Sequence, residues 1–164
     1  MKIIVIGAGG HATSLAESIL SCGHEILYFV DRFKSKDNLL GYKVLKNIPK
    51  SKNILNLVIA VGDNSKRFEI HKMFSNKMLN INFPSIIHPS ASVSKFSKIG
   101  SGTVVLQNAV IGSNCKIGRF CIINSSSSID HDCEMSNFSS LGPSSVTGGN
   151  VKIGLRSAIG INST

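Results

Sequence analysis

Val105-Leu-Gln-Asn-Ala-Val-Ile111-Gly-Ser-Asn-Cys-Lys-Ile117-Gly-Arg-Phe-Cys-Ile-Ile123-Asn-Ser-Ser-Ser-Ser-Ile129-Asp-His-Asp-Cys-Glu-Met135 repeats with a period of six residues. The large aliphatic position recurs outward from this stretch, back through Ile99, Val93 and Ile87 and forward through Leu141, Ile153 and Ile159, with Thr147 the one polar exception. Four places after each large residue stands a small one, from Ala91, Ser97 and Thr103 through Cys115, Cys121 and Cys133 to Ser157 and Ser163. One large and one small inward residue per hexapeptide is what a triangular parallel β-helix requires. Each hexapeptide supplies a flat face and a tight corner, and the corner admits only a small side chain. Three hexapeptides close a coil, so residues eighteen apart stack at roughly 4.8 Å.

Before Ile87 the pattern is different. Lys2–Ile6 is a run of β-branched residues that ends at Gly7-Ala8-Gly9-Gly10. An amphipathic segment follows from His11 to about Ser21, with Leu15, Ile19 and Leu20 on one face. Strands are expected at Glu25–Val30, Ile54–Val61 and Asn80–Phe83, a helix at Lys66–Phe74, and an irregular basic excursion over Arg32–Lys52. Alternating strand and helix predict a parallel sheet with helices on its faces. The expected organisation is an α/β, Rossmann-like nucleotide-binding domain over residues 1–84 and a β-helix over 85–164.

The 164 residues carry a net charge of +9. No apolar run approaches a membrane span. The first strand is too short and too quickly followed by glycines to be a signal peptide, so a cytoplasmic protein is expected. The basic balance lacks the aromatic interleaving of single-strand binding, which points to a phosphate-bearing small molecule and away from nucleic acid. The four cysteines show no metal-type spacing, and no metal is expected. Cys115 and Cys133, eighteen apart, should stack in the core, where the spacing would permit a disulfide but a cytoplasmic setting favours two thiols.

Gly7-Ala8-Gly9-Gly10-His11-Ala12 fits the dinucleotide fingerprint between a strand and a helix, and Asp31 closes the next strand where a ribose-binding acid belongs. The glycines would let a phosphate approach the backbone at the helix N-terminus. Some 84 residues and about four strands make only half of a double mononucleotide unit, so a single nucleotide such as the UDP of a sugar nucleotide fits better than NAD.

The β-helix half contains three acids, Asp130, Asp132 and Glu134, all bracketing His131. His131 lies off both inward positions and should project from the coil among carboxylates that orient the ring and raise its basicity. Such a histidine suits the base of an acyl transfer. Stacked on it one coil later is Gly149, where absence of a side chain leaves backbone N–H groups open to a thioester oxygen. His88, His24 and His71 lack such settings and are read as structural or surface residues.

Together, Gly7–His11, Ile86-Ile87-His88-Pro89-Ser90-Ala91, Ile123-Asn124, Ile129–Cys133 and Gly149–Gly154 resemble the bacterial left-handed β-helix acyltransferases. That family includes sialic acid O-acetyltransferases and UDP-amino-sugar N-acetyltransferases of surface glycan biosynthesis. The resemblance implies a homotrimer with active sites between adjacent β-helices, acetyl-CoA as cosubstrate and a sugar or nucleotide-sugar acceptor. It assigns His131 as general base, Asp130 as the acid beside it, Asn124 as a further active-site residue and Gly149 as a backbone contact to acetyl-CoA. It places Gly7, Gly9, Gly10, His11, Asp31, Gly62 and Asn64 in the sugar-nucleotide pocket. Many relatives carry a second histidine nine residues after the first, where this chain has Ser140. Relatives also continue for several coils beyond the position of Thr164, so an incomplete β-helix with an uncapped end is expected. Two alternatives are a nucleotide-dependent oxidoreductase built on the glycine loop and a non-catalytic, nucleotide-binding trimeric scaffold.

Overall fold

The computed structural model describes residues 1–33, 36–49, 53–77 and 80–164. The chain divides into two compact units, Met1–Pro84 and Ser85–Thr164. None of the described helices is long and apolar enough to cross a membrane.

The first unit is a six-stranded sheet in the order β3-β4-β2-β1-β5-β6. Its elements are β1 (Lys2–Ile6), α1 (Gly10–Ser21), β2 (Glu25–Val30), β3 (Asn38–Leu39), β4 (Tyr42–Leu45), β5 (Leu55–Ile59), α2 (Asn64–Lys77) and β6 (Ile81–Asn82). All pairings are parallel except β3 with β4. β1 is the central strand because Ile3, Ile4, Val5 and Ile6 are apolar without alternation, and all four are buried. α1 turns Ala12, Leu15, Ala16 and Ile19 onto the sheet, whereas Leu20, expected on the same face, is exposed. A residue directly after Ile19 lies about 100° round the helix and leaves the apolar stripe.

The basic excursion expected over Arg32–Lys52 instead contains a β-hairpin, with residues 34, 35 and 50–52 outside the described set. Leu40 and Gly41 form its two-residue loop with φ of 52° and 84°. These are the positive values that a hairpin turn matching the strand twist demands. Asn38 Oδ1 accepts the Gly41 N–H at 2.9 Å. Leu39 and Val44 are buried, and Tyr42 sets its ring edge-on to Phe29. The many lysines of this segment hide that alternation in the sequence.

In the second unit every hexapeptide contributes one two-residue strand, from Ile86–Ile87 to Ala158–Ile159. The strands stack into three parallel sheets in which residues eighteen apart are partners. The core consists of the two columns read from the sequence, including Val105, Ile111, Ile117, Ile123, Ile129, Met135, Leu141 and Ile153 with Ala109, Cys115, Cys121 and Cys133. The four cysteines are free thiols. Towards the ends of the coil the column is less complete: Ile87 is exposed, and Val93, Ile99 and Ile159 are only partly buried.

The corners turn through the left-handed region. From Asn108 to Asn162 every sixth residue has φ between 55° and 61°. Asn and Asp tolerate this conformation, whereas Phe120, Phe138 and Arg156 adopt it at a cost. Phe120 and Phe138 stack on one another at 5.0 Å and 6° between planes, both buried.

The small inward column has a second duty that size alone did not reveal. Thr103 Oγ1 donates to the Gly118 carbonyl at 2.8 Å and accepts the Cys121 N–H at 3.0 Å. Ser97 does the same for Gly112 O and Cys115 N, and the Cys133 thiol for Gly148 O and Val151 N. Each hydroxyl or thiol thus completes backbone hydrogen bonding at the next corner, which would otherwise be left incomplete in the interior.

Candidate active site

In the first unit the chain passes from β1 through α1 to β2 on one side, then returns across β1 to β5. This reversal makes a crevice at the carboxyl ends of β1 and β5, the place where open α/β sheets bind ligands. The loops after these two strands and the first turns of the helices that follow them contain every residue assigned to the sugar-nucleotide pocket except Asp31, which follows β2.

Gly7 is required by geometry: its φ is 106°, and a Cβ there would sit 2.8 Å from the Ala60 carbonyl oxygen. Gly9, Gly10 and Gly62 have open space around them. Nothing in the packing demands glycine at those three positions, and the opening leaves backbone approachable from outside. Gly9 is the N-cap of α1 and supplies no side-chain cap, so the helix presents its first N–H groups without one. Asp31 divides its carboxylate between the Ala8 N–H at 3.1 Å and the Phe33 N–H at 2.9 Å. It therefore shapes the glycine loop as well as facing it.

His11, in the first turn of α1, is half-buried, and its Nε2 is buried without a hydrogen-bond partner. Burial, with a smaller contribution from the nearby Arg67 guanidinium, lowers its pKa to about 4, so the ring is neutral near pH 7. Arg67 was not anticipated. It is buried and donates to the carbonyls of Val61 and Gly62 at 2.9 and 3.0 Å and to Asn64 Oδ1. A cation near the start of α2 thereby ties down the loop that carries Gly62 and Asn64. The only hint in sequence was the spacing of three between Asn64 and Arg67, which helical geometry puts on one face.

In the second unit His131 stands at a corner, between the strands Ser128–Ile129 and Glu134–Met135. Its Nδ1 lies 2.7 Å from Asp132 Oδ2. With the Nδ1 proton donated to that carboxylate, the Nε2 lone pair is left to act on a substrate. About half of the imidazole surface is exposed. The ring lies over Gly149, where a Cβ would come within 2.6 Å of Cε1 and 2.7 Å of Nε2. Gly149 thus makes room for the imidazole itself.

The three acids of this half have separate tasks. Asp132 orients the ring. Asp130 Oδ1 accepts the backbone N–H of His131 at 2.8 Å and acts on the imidazole by charge. Asp130, assigned from the resemblance as the acid beside the base, is therefore the flanking charge, and the ring hydrogen bond belongs to Asp132. Glu134 turns to Lys116 one coil below, at 3.0 Å. The His131 pKa is raised, first by the Asp132 hydrogen bond and then by the charge of Asp130. That of Asp132 is lowered, first by a hydrogen bond from Asn114 and then by His131.

Asn124 is not brought beside His131. It occupies the preceding corner, separated by the strand Ser128–Ile129, and its Oδ1 accepts the Ser125 N–H at 2.9 Å.

A parallel sheet with a glycine loop at its switch point, followed by a hexapeptide β-helix bearing a carboxylate-oriented histidine, defines the class of left-handed β-helix acyltransferases. A family model described as the PglD N-terminal domain matches residues 2–74. The UDP-N-acetylbacillosamine N-acetyltransferase of Bacillus subtilis (strain 168) is 32% identical over 114 residues, which are 64% of this chain and 51% of that protein. The match thus spans about half the length of that curated relative. The acetyltransferase domain of PglB from Neisseria gonorrhoeae FA1090, solved with acetyl coenzyme A, is 31% identical. It superposes with a TM-score of 0.87 over 98% of this chain and 80% of that one. PerB from Caulobacter crescentus, solved with CoA and GDP-perosamine, is 30% identical with a TM-score of 0.85, covering 98% and 77%. The chain belongs to the hexapeptide-repeat amino-sugar N-acetyltransferases.

Proposed function

We propose that this protein transfers an acetyl group from acetyl-CoA to the amine of a nucleotide-linked amino sugar. The observation that carries this reading is the His131 imidazole, held by Asp132 through Nδ1 and lying over Gly149 with about half its surface exposed. In this reading the acceptor amine attacks the thioester carbonyl, a C–N bond forms, the C–S bond breaks, and His131 Nε2 takes the proton released from nitrogen. The Bacillus subtilis relative, named as an N-acetyltransferase, and PerB, solved with CoA and GDP-perosamine, favour N-acetylation over O-acetylation of a sialic-acid-like sugar. Gly7, Gly9, Gly10, His11, Asp31, Gly62 and Asn64 would hold the nucleotide sugar, with the α1 N-terminus facing phosphate. Asn124 and Gly149 would contribute to the acyl site. The protein is expected to act in the cytoplasm as a homotrimer.

The test is thiol release from acetyl-CoA against a panel of UDP- and GDP-linked amino sugars and sialic acids, with sedimentation equilibrium for the assembly. Acceptor-dependent CoA release with an amino-sugar nucleotide supports the reading. Release only with sialic acids, or none with any acceptor while nicotinamide absorbance changes, overturns it.

A further inference from the structure

We propose that Asn114, one coil below the base, is a positioning residue that holds Asp132 and, through it, the His131 ring. This rests on the reading of His131 as the base. The Asn114 Nδ2 donates to Asp132 Oδ1 at 2.6 Å, while Asp132 Oδ2 engages His131 Nδ1 at 2.7 Å. The two carboxylate oxygens are thus used in opposite directions, which sets the plane of the group. Without the amide, an exposed aspartate would be free to turn about its broad terminal torsion, and the ring would turn with it.

The placement follows from the fold. Asn114 and Asp132 are eighteen residues apart and both occupy the left-handed corner position, at φ of 61° and 60°. Coil stacking brings such residues to roughly 4.8 Å, a separation that two short side chains span directly. The same column continues with Phe96 below Asn114 and Asn150 above Asp132, and it is the Asn114 amide that donates to the acid beside His131. The coil does not need the contact for its own ladder, because the Asp132 N–H already donates to the Ser113 carbonyl at 2.9 Å.

The charged groups facing the imidazole are Asp132 and Asp130 of its own corner. The corner below contributes Asn114 and Ser113 and the corner above Gly149 and Asn150, none of which titrates. Two variants separate positioning from folding. Asn114→Gly keeps the left-handed backbone accessible and removes the amide; Asn114→Asp keeps the shape and replaces the donor with a second carboxylate. The His131 titration, followed by NMR at the ring carbon, and the steady-state rate at its pH plateau are the readouts. The imidazole pKa should fall towards 6.5 in Asn114→Gly and rise in Asn114→Asp. The plateau kcat of Asn114→Gly should drop by roughly 3–10-fold, the worth of one exposed charge-assisted hydrogen bond, with the KM for acetyl-CoA unchanged. A His131 titration that does not move in either variant, even with a lowered melting temperature, would overturn the proposal. A moved titration with an unchanged plateau rate would support the positioning contact and overturn His131 as the base.

Discussion

At the scale of single residues, the chemistry converges on one imidazole whose surroundings act in the same direction. Asp132 and Asp130 both stabilise the imidazolium, so its pKa lies above the ordinary 6.5. A base works when neutral. The rate should therefore fall on the acid side through a midpoint above 6.5, and Asp132→Asn should move that midpoint down. His131→Ala should lower kcat by roughly 10²–10⁴ while acetyl-CoA binding, measured by calorimetry, changes little. Near-normal turnover by that variant would remove His131 from the mechanism. Gly149 gives a second test on the same atoms. The methyl of Gly149→Ala would fall 2.6 Å from the imidazole Cε1, so the ring must swing away. A displacement of this kind should cost on the order of 10–10² in kcat, and a crystal structure of the variant should show the turned ring.

At the scale of elements, the hexapeptide corner explains both stability and site. It bends through a left-handed residue, and at Ser97, Thr103 and Cys133 its inward small residue hydrogen-bonds the next coil. That mechanism separates Thr103→Val from Thr103→Ser. Valine keeps the volume but leaves the Gly118 carbonyl and the Cys121 N–H without their partner, at a cost of about 2 kcal/mol. Serine keeps both bonds and should cost less than about 1 kcal/mol, largely the missing methyl. Urea unfolding of the two variants checks the order; equal losses would mean that the column serves by size alone. The period of six was legible because it places large and small residues at constant intervals. The hydrogen bonds were not, since Ser, Thr, Cys and Ala all satisfy the size rule and only contacts between coils distinguish them.

At the scale of the whole molecule, two units with separate cores carry separate halves of the proposed task. Gly9→Val tests that division. Gly9 has φ of −88° and open space where a Cβ would go, so valine fits the fold. It would stand where phosphate must approach the α1 N-terminus. Affinity for the sugar nucleotide should fall by on the order of tenfold or more, about 1.4 kcal/mol, with sedimentation behaviour unchanged. Calorimetry showing unaltered affinity would sink the nucleotide assignment of the glycine loop.

The periodicity of the chain by itself determined the two architectures, the core columns and the stacking of Gly149 on His131, because each follows from fixed spacing along a regular backbone. The glycine loop was equally plain, since Gly7 answers to a local φ of 106°. Spacing does not say which way a side chain turns, and there the tertiary structure decided. It put Asp132 rather than Asp130 on the imidazole and sent Glu134 to Lys116. It also folded the lysine-rich segment after β2 into a hairpin and buried Arg67 beneath the Gly62 loop. Glu134 meets Lys116 only because coil stacking brings residues eighteen apart together. The other outcomes turn on which of several near neighbours a side chain or hairpin turns to, and that is settled only when the surrounding strands and corners have packed.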